Sequence, residues 1–165
     1  MGTPQAPYPV NSRTSKTPGE VVAGGFLVDA SLDGLNTENK SLAEYRGKPL
    51  IINVWASWCD PCRAEMGSLE RLAKRYNGKE FNIIGISTDD YLDKAAAFID
   101  QAALSFENYI DHELLMENML GATTIPLTVL VDADGRVLMK VRGSREWDSP
   151  EILQAIGNVF KVTLL

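Results

Sequence analysis

Leu50-Ile51-Ile52-Asn53-Val54-Trp55-Ala56-Ser57-Trp58-Cys59-Asp60-Pro61-Cys62 contains the only two cysteines among 165 residues. Its first six residues form a continuous apolar run, broken only by Asn53, as expected of a parallel strand covered on both faces. The run leads into a predicted helix over about residues 60–77, whose first turn carries both sulfurs. Unpaired backbone N–H groups and the macrodipole at that end favour a thiolate at Cys59. Cys62 lies three residues on, one turn away on a similar face, so the two sulfurs can join and part. A buried strand entering a C-x-x-C helix is what thiol–disulfide exchange needs.

Outward from this centre, helical and strand periodicities alternate. Residues 1–19, rich in Pro, Ser and Thr, read as a disordered tail, a linker or a leftover of expression, and 20–165 as one domain. An alternating stretch from Phe26 to Leu35 predicts a hairpin turning at Asp33-Gly34. Ser41-Leu42-Ala43-Glu44 fits a capping box opening a short helix. A strand at 81–86 follows the long helix. A second helix is expected over about 91–103, with Leu92, Ala95, Ala96, Ile99 and Ala103 facing inward. A short strand (108–110) and a helix ending at Gly121 come next. Leu127–Val131 and Val137–Val141 flank the turn Asp132-Ala133-Asp134-Gly135. Ser149-Pro150 then caps a last helix with Ile152, Leu153, Ile156, Val159 and Phe160 on one face. The pattern implies an α/β fold, a mixed sheet flanked by helices.

The bulk properties exclude several classes. A net charge of −6 argues against a nucleic-acid surface. No run of 18 apolar residues is present to span a bilayer. The start Met1-Gly2-Thr3-Pro4 lacks the basic and apolar regions of a signal peptide, so it reads as a tag scar or as an end exposed by loss of a signal or anchor. Structural zinc wants about four Cys or His ligands. Two cysteines and one histidine do not supply them, so no metal or cofactor is expected. A purely stabilising bridge is a poor reading as well, since so short a loop restricts the unfolded chain little. Asp132-x-Asp134-Gly135 lacks the further ligands of a calcium loop and reads as a turn. His112, alone near a helix start, carries no expected catalytic role.

Cys59 is the candidate nucleophile, attacking a partner's disulfide, and Cys62 the residue that resolves the mixed disulfide. Glu65 is the subtler candidate. At ~100° per residue from Cys62, Met66 falls near +40°, Leu69 near −20°, Tyr76 near −40° and Leu72 near −80°. Glu65, near −60°, lies inside that apolar stripe. A carboxyl there is desolvated, pushed up in pKa, and one turn from Cys62, placed to exchange a proton with it. The competing reading is a first-turn acid that complements the helix dipole and points to water.

The segment Trp55–Met66, with Trp58-Cys59-Asp60-Pro61-Cys62 at its centre, resembles the active site of the thioredoxin superfamily, and Glu65 is similar to a residue of its redoxin-related, TlpA/ResA-like branch of extracytoplasmic thiol–disulfide oxidoreductases. Gly121–Thr128 and the hairpin after it resemble the cis-proline segment of that family, over roughly Glu20 to Phe160. The resemblance implies a thioredoxin fold with an N-terminal hairpin and a βα insertion between about 88 and 110. It implies a cis Pro126 facing the dithiol, Ile125 and Trp58 as substrate-docking residues, and an active-site role for Glu65. Where cytoplasmic thioredoxins carry a buried Asp, this chain has Asn53, which cannot take a proton. Gly67 replaces a helix-kinking proline, and the Thr124–Thr128 segment departs from the usual form. The implied activity is reduction of disulfides in extracytoplasmic or periplasmic proteins such as apocytochrome c, with a thiol-reducing donor in the membrane and a monomeric chain. Asp60 beside Cys59 disfavours the thiolate, which leans the couple toward a reductant. Two alternatives remain: a thiol peroxidase, although Ala56 stands where those enzymes place Thr, and a copper metallochaperone using both thiols as soft ligands.

Overall fold

The computed structural model describes residues 19–164. The tail expected over 1–19 lies outside the described residues but for Gly19. Seven strands form one mixed sheet: β1 (Ser31–Gly34), β2 (Lys40–Ser41), β3 (Leu50–Trp55), β4 (Asn82–Ser87), β5 (Glu107–Ile110), β6 (Leu127–Val131) and β7 (Val137–Arg142). Helices α1 (Asp60–Tyr76), α2 (Leu92–Ala102), α3 (Leu115–Leu120) and α4 (Pro150–Phe160) connect and close it. The strand order is β2-β1-β5-β4-β3-β6-β7. β3, β4 and β5 run parallel, while β1, β6 and β7 pair antiparallel to their neighbours. This is the thioredoxin fold, with α2–β5 as the expected inserted unit.

Alternation along β3 assigns its residues to two cores. Ile51 and Trp55 face the layer holding Met66, Leu69 and Leu72 of α1, Phe98 of α2 and Ile156 of α4. Leu50, Ile52 and Val54 face Met116, Met119 and Leu120 of α3 and the N-terminal segment. Asn53 shares the α1 side of the strand with Ile51 and Trp55 by the same period of two.

Two local expectations are corrected. Asp33-Gly34 does not turn the N-terminal hairpin: both residues lie in β1, paired with Ile110 and Tyr109 of β5. The loop between β1 and β2 folds back so closely that a Cβ on Gly34 would collide with the Thr37 carbonyl oxygen, so the glycine serves a close approach. In α2, Leu92 and Ala103 are exposed and Ala103 is the left-handed C-cap. Phe98, packed on Trp55 with centroids 4.9 Å apart, turns the buried face toward Ala95, Phe98 and Ile99. Elsewhere the local signals hold. The Ser41 amide donates to Glu44, Ser149 caps α4, and Asp132 accepts from the amides of Asp134 and Arg136. Helix α1 runs unbroken through Gly67.

Candidate active site

Cys59 is the N-cap of α1, and its sulfur accepts a hydrogen bond from the Cys62 amide at 3.2 Å. Pro61 sits in the first turn, where its missing N–H leaves no intrahelical bond unmade. The two cysteines form a disulfide, with Cα atoms 5.3 Å apart. Cys62 is fully enclosed and Cys59 nearly so at 4% exposure, while its neighbour Trp58 is 68% exposed. Register brings a second segment to this point: β6 pairs antiparallel with β3, Val54 opposite Leu127, so the residues before Leu127 meet the end of β3. The Ile125–Pro126 bond is cis, and the Ile125 carbonyl oxygen lies 3.8 Å from Cys59 Sγ. Between Trp58 and Ile125 is a depression of about 250 Å³ whose lining includes Thr88, Asp90, Leu114 and Thr123.

The loop entering α1 is held from β4. Buried Asp89 accepts from the Ser57 amide (3.0 Å), the Ser57 hydroxyl (2.6 Å) and the Ser87 hydroxyl (2.7 Å). Ser57 is thereby fixed two residues before Cys59.

Glu65 lies one turn beyond Cys62 with 1% exposure. Its Oε1 accepts from Trp147 Nε1 at 2.8 Å and from the Arg145 amide at 3.4 Å. Its Oε2 accepts from Asn53 Nδ2 at 2.8 Å. Burial pushes the carboxyl above its ordinary pKa, and the donors from Trp147, Asn53 and Arg145 only partly oppose this. Asn53 Nδ2 also donates to Thr128 Oγ1 at 3.0 Å, its register partner across β3 and β6.

A C-x-x-C pair at a helix N-terminus, with a cis-proline segment against the first sulfur, is matched by what the chain is similar to. The AhpC/TSA family profile matches residues 24–140. The chain belongs to this family. Within it, the thiol-disulfide oxidoreductase ResA of Geobacillus thermodenitrificans is 29% identical over 134 residues, 81% of this chain and 76% of that protein. ResA of Bacillus anthracis is 31% identical over 74% of this chain and 69% of its own length. Among solved structures, one from Chlorobium tepidum assigned as thiol:disulfide interchange protein DsbE superposes with a TM-score of 0.77. It is 26% identical, covering 85% of this chain and 99% of that one. The chain is thus a TlpA/ResA-like member of the thioredoxin superfamily and a thiol–disulfide oxidoreductase.

In this AhpC/TSA-family chain, Trp58, Cys59, Cys62, Ile125 and Pro126 converge at one end of the sheet, and Glu65 lies beneath Cys62 along α1. His112 is exposed on the connection to α3, and Trp55 is core, donating to Asn108 Oδ1. Trp147, Thr128 and Asp89 were not singled out by sequence reasoning. The available signal for Thr128 was its register with Asn53 across two apolar strands. For Trp147 it was the need of a buried indole N–H for an acceptor.

Proposed function

We propose that the protein reduces disulfides in other proteins through the Cys59–Cys62 couple. In the reduced state the Cys59 thiolate attacks one sulfur of a substrate disulfide. The new bond joins Cys59 to the substrate, and the substrate's other sulfur leaves with the electron pair and takes up a proton. Glu65 accepts the proton of the Cys62 thiol, and the resulting thiolate attacks Cys59 Sγ. The intramolecular disulfide forms, the second substrate sulfur leaves, and two electrons have passed from the dithiol to the substrate. Trp58 and the Ile125 backbone line the surface that receives the substrate chain. Its proposed setting is extracytoplasmic, on substrates such as apocytochrome c, with re-reduction by a thiol-reducing donor in the membrane, a reading supported by the likeness to ResA and DsbE-type proteins.

The observation that carries the direction is Asp60. It places a carboxylate beside Cys59 where strong oxidants place a positive neighbour, so the reduced thiolate lacks the stabilisation that makes a couple oxidising. The test is the reduction potential of the Cys59–Cys62 couple in defined thiol buffers, read by tryptophan fluorescence. A value near or below about −250 mV fits a reductase, whereas one near about −120 mV means a disulfide-forming oxidant and overturns the reading.

A further inference from the structure

The oxygens of Glu65 are held by two kinds of partner. Oε1 faces the Trp147 indole N–H and the Arg145 amide, which can only donate. A proton on Oε1 would meet two donors, so that oxygen suits the ionised form alone. Oε2 faces the Asn53 amide, whose two ends have nearly the same shape and opposite hydrogen-bonding sense. Asn53 in turn faces the Thr128 hydroxyl, which donates or accepts with equal ease. The other end of the amide, Asn53 Oδ1, is buried and has no hydrogen-bond partner among the described residues. Nothing therefore holds Asn53 by its oxygen in one orientation.

Resting on the reading of Glu65 as the proton acceptor for Cys62, we propose that Asn53 and Thr128 form a reversible hydrogen-bond pair that carries Glu65 through both protonation states, with Oε2 as the oxygen that takes the proton. With Glu65 ionised, Asn53 Nδ2 donates to Oε2 and to Thr128 Oγ1, as observed. With Oε2 protonated, the amide turns about its last bond, and Oδ1 accepts from Oε2–H and from the Thr128 hydroxyl. Each state gives Asn53 two hydrogen bonds on the Glu65–Thr128 side, the amide end turned away being Oδ1 in one state and Nδ2 in the other, and no charge moves onto Asn53. An unturned amide would set N–H against O–H and lose a buried hydrogen bond, which would oppose protonation of Glu65. An Asp at position 53 would compete for the proton, so Asn suits a relay in which Glu65 alone holds it. Around the carboxyl, β3 supplies Asn53, β6 supplies Thr128, and the β7–α4 connection supplies Trp147 and the Arg145 amide. The titratable and charged groups involved are Cys62 on α1 and the Arg145 guanidinium, which acts on Glu65 through space.

The experiment is a carbon-13 NMR titration of the Glu65 side-chain carboxyl in the oxidised protein, in wild type, Trp147→Phe and Asn53→Leu. A one-way donor supports only the carboxylate, so Trp147→Phe moves the midpoint up. A reversible partner supports both forms, so Asn53→Leu shifts it clearly less. An equal or larger upward shift in Asn53→Leu makes Asn53 a one-way donor and overturns the proposal. Should Asn53→Leu not fold, the wild type decides. Nuclear Overhauser contacts from the Asn53 amide protons to Thr128 must fade through the Glu65 midpoint, and their persistence to low pH overturns the proposal equally. The underlying reading fails separately: a Glu65→Gln protein that resolves the mixed disulfide at the wild-type rate removes Glu65 as proton acceptor, whatever Asn53 does.

Discussion

Glu65 is a carboxyl whose burial raises its pKa in the folded chain, and this sets the sign of its effect on stability. Above the ordinary carboxylate range the folded protein holds a proton that the unfolded chain has released. Stability from this group is full below the unfolded pKa and is lost as pH rises through the folded one. The slope for one proton is at most about 1.4 kcal/mol per pH unit. Denaturant midpoints of the oxidised protein are expected to fall with rising pH across that window, and the fall to be smaller in Glu65→Gln, the rest coming from Asp111 and Glu117, whose carboxyls burial also raises. An equal fall in both proteins would assign it elsewhere. At the same scale, Glu65→Gln is expected to slow release of substrate from the mixed disulfide about 10²-fold, within the range for loss of a positioned base. Stopped-flow fluorescence with a peptide disulfide reads this rate. The burial of Glu65 was legible because helical spacing alone puts it between Cys62, Leu69 and Leu72. Its partners were not: the Trp147 contact spans 82 residues and depends on how the β7–α4 connection crosses α1, and the Asn53 contact depends on how α1 packs against β3.

At the scale of elements, the N-terminus of α1 and the loop before it surround Cys59, the proposed nucleophile. Asp60 is the first residue of α1, next to the capping sulfur. Asp60→Asn removes a negative neighbour, stabilises the Cys59 thiolate and is expected to raise the reduction potential, measured against the same thiol buffers as wild type. An unchanged potential would mean that solvent screens Asp60 at this exposed position. The loop is set by Asp89, which gathers three donors from Ser57 and Ser87. Asp89→Ala leaves those donors without their acceptor, a loss of about 1–3 kcal/mol in denaturant unfolding. It is also expected to speed hydrogen exchange at the Ser57 amide and slow attack on substrate. Wild-type exchange at Ser57 would show that Asp89 does not hold the loop. The ends of α1 and α4 were readable from Cys59, Pro61, Ser149 and Pro150 because caps are local chemistry. The Asp33-Gly34 turn misled because glycine marks both turns and close backbone approaches, and the closeness of Thr37 to Gly34 is a tertiary fact. The inward face of α2 misled because one large ring, Phe98, outweighs several alanines in deciding which side is buried.

Across the whole molecule, strand order was the least legible property: local patterns predicted an N-terminal hairpin but not that β1 would pair with β5 at the far side of the parallel strands. What fastens it there is a polar cluster around Glu107. Lys40 Nζ (2.8 Å) and the Thr37 hydroxyl (2.9 Å) both donate to Glu107 Oε2, while the Tyr45 hydroxyl donates to Oε1 and also meets the Tyr109 hydroxyl. Burial works to raise the Glu107 pKa, but donors from Lys40, Tyr45 and Thr37 outweigh it and hold the carboxyl below its ordinary range. Burial and the neighbouring carboxylate raise the pKa of both tyrosines above its ordinary value. A depressed carboxyl contributes stability above its unfolded pKa and loses it as pH falls through the folded one, the opposite sense to Glu65. Because the Glu107 side chain is 35% exposed, screening limits the contribution to about 1 kcal/mol. Glu107→Gln is therefore expected to lie below wild type by about that amount at neutral pH and to converge with it in acid, in denaturant melts at each pH. A gap that stays constant with pH would mean that Glu107 acts through shape and neutral hydrogen bonds, and that its charge does not fasten β1 and β2 to the sheet.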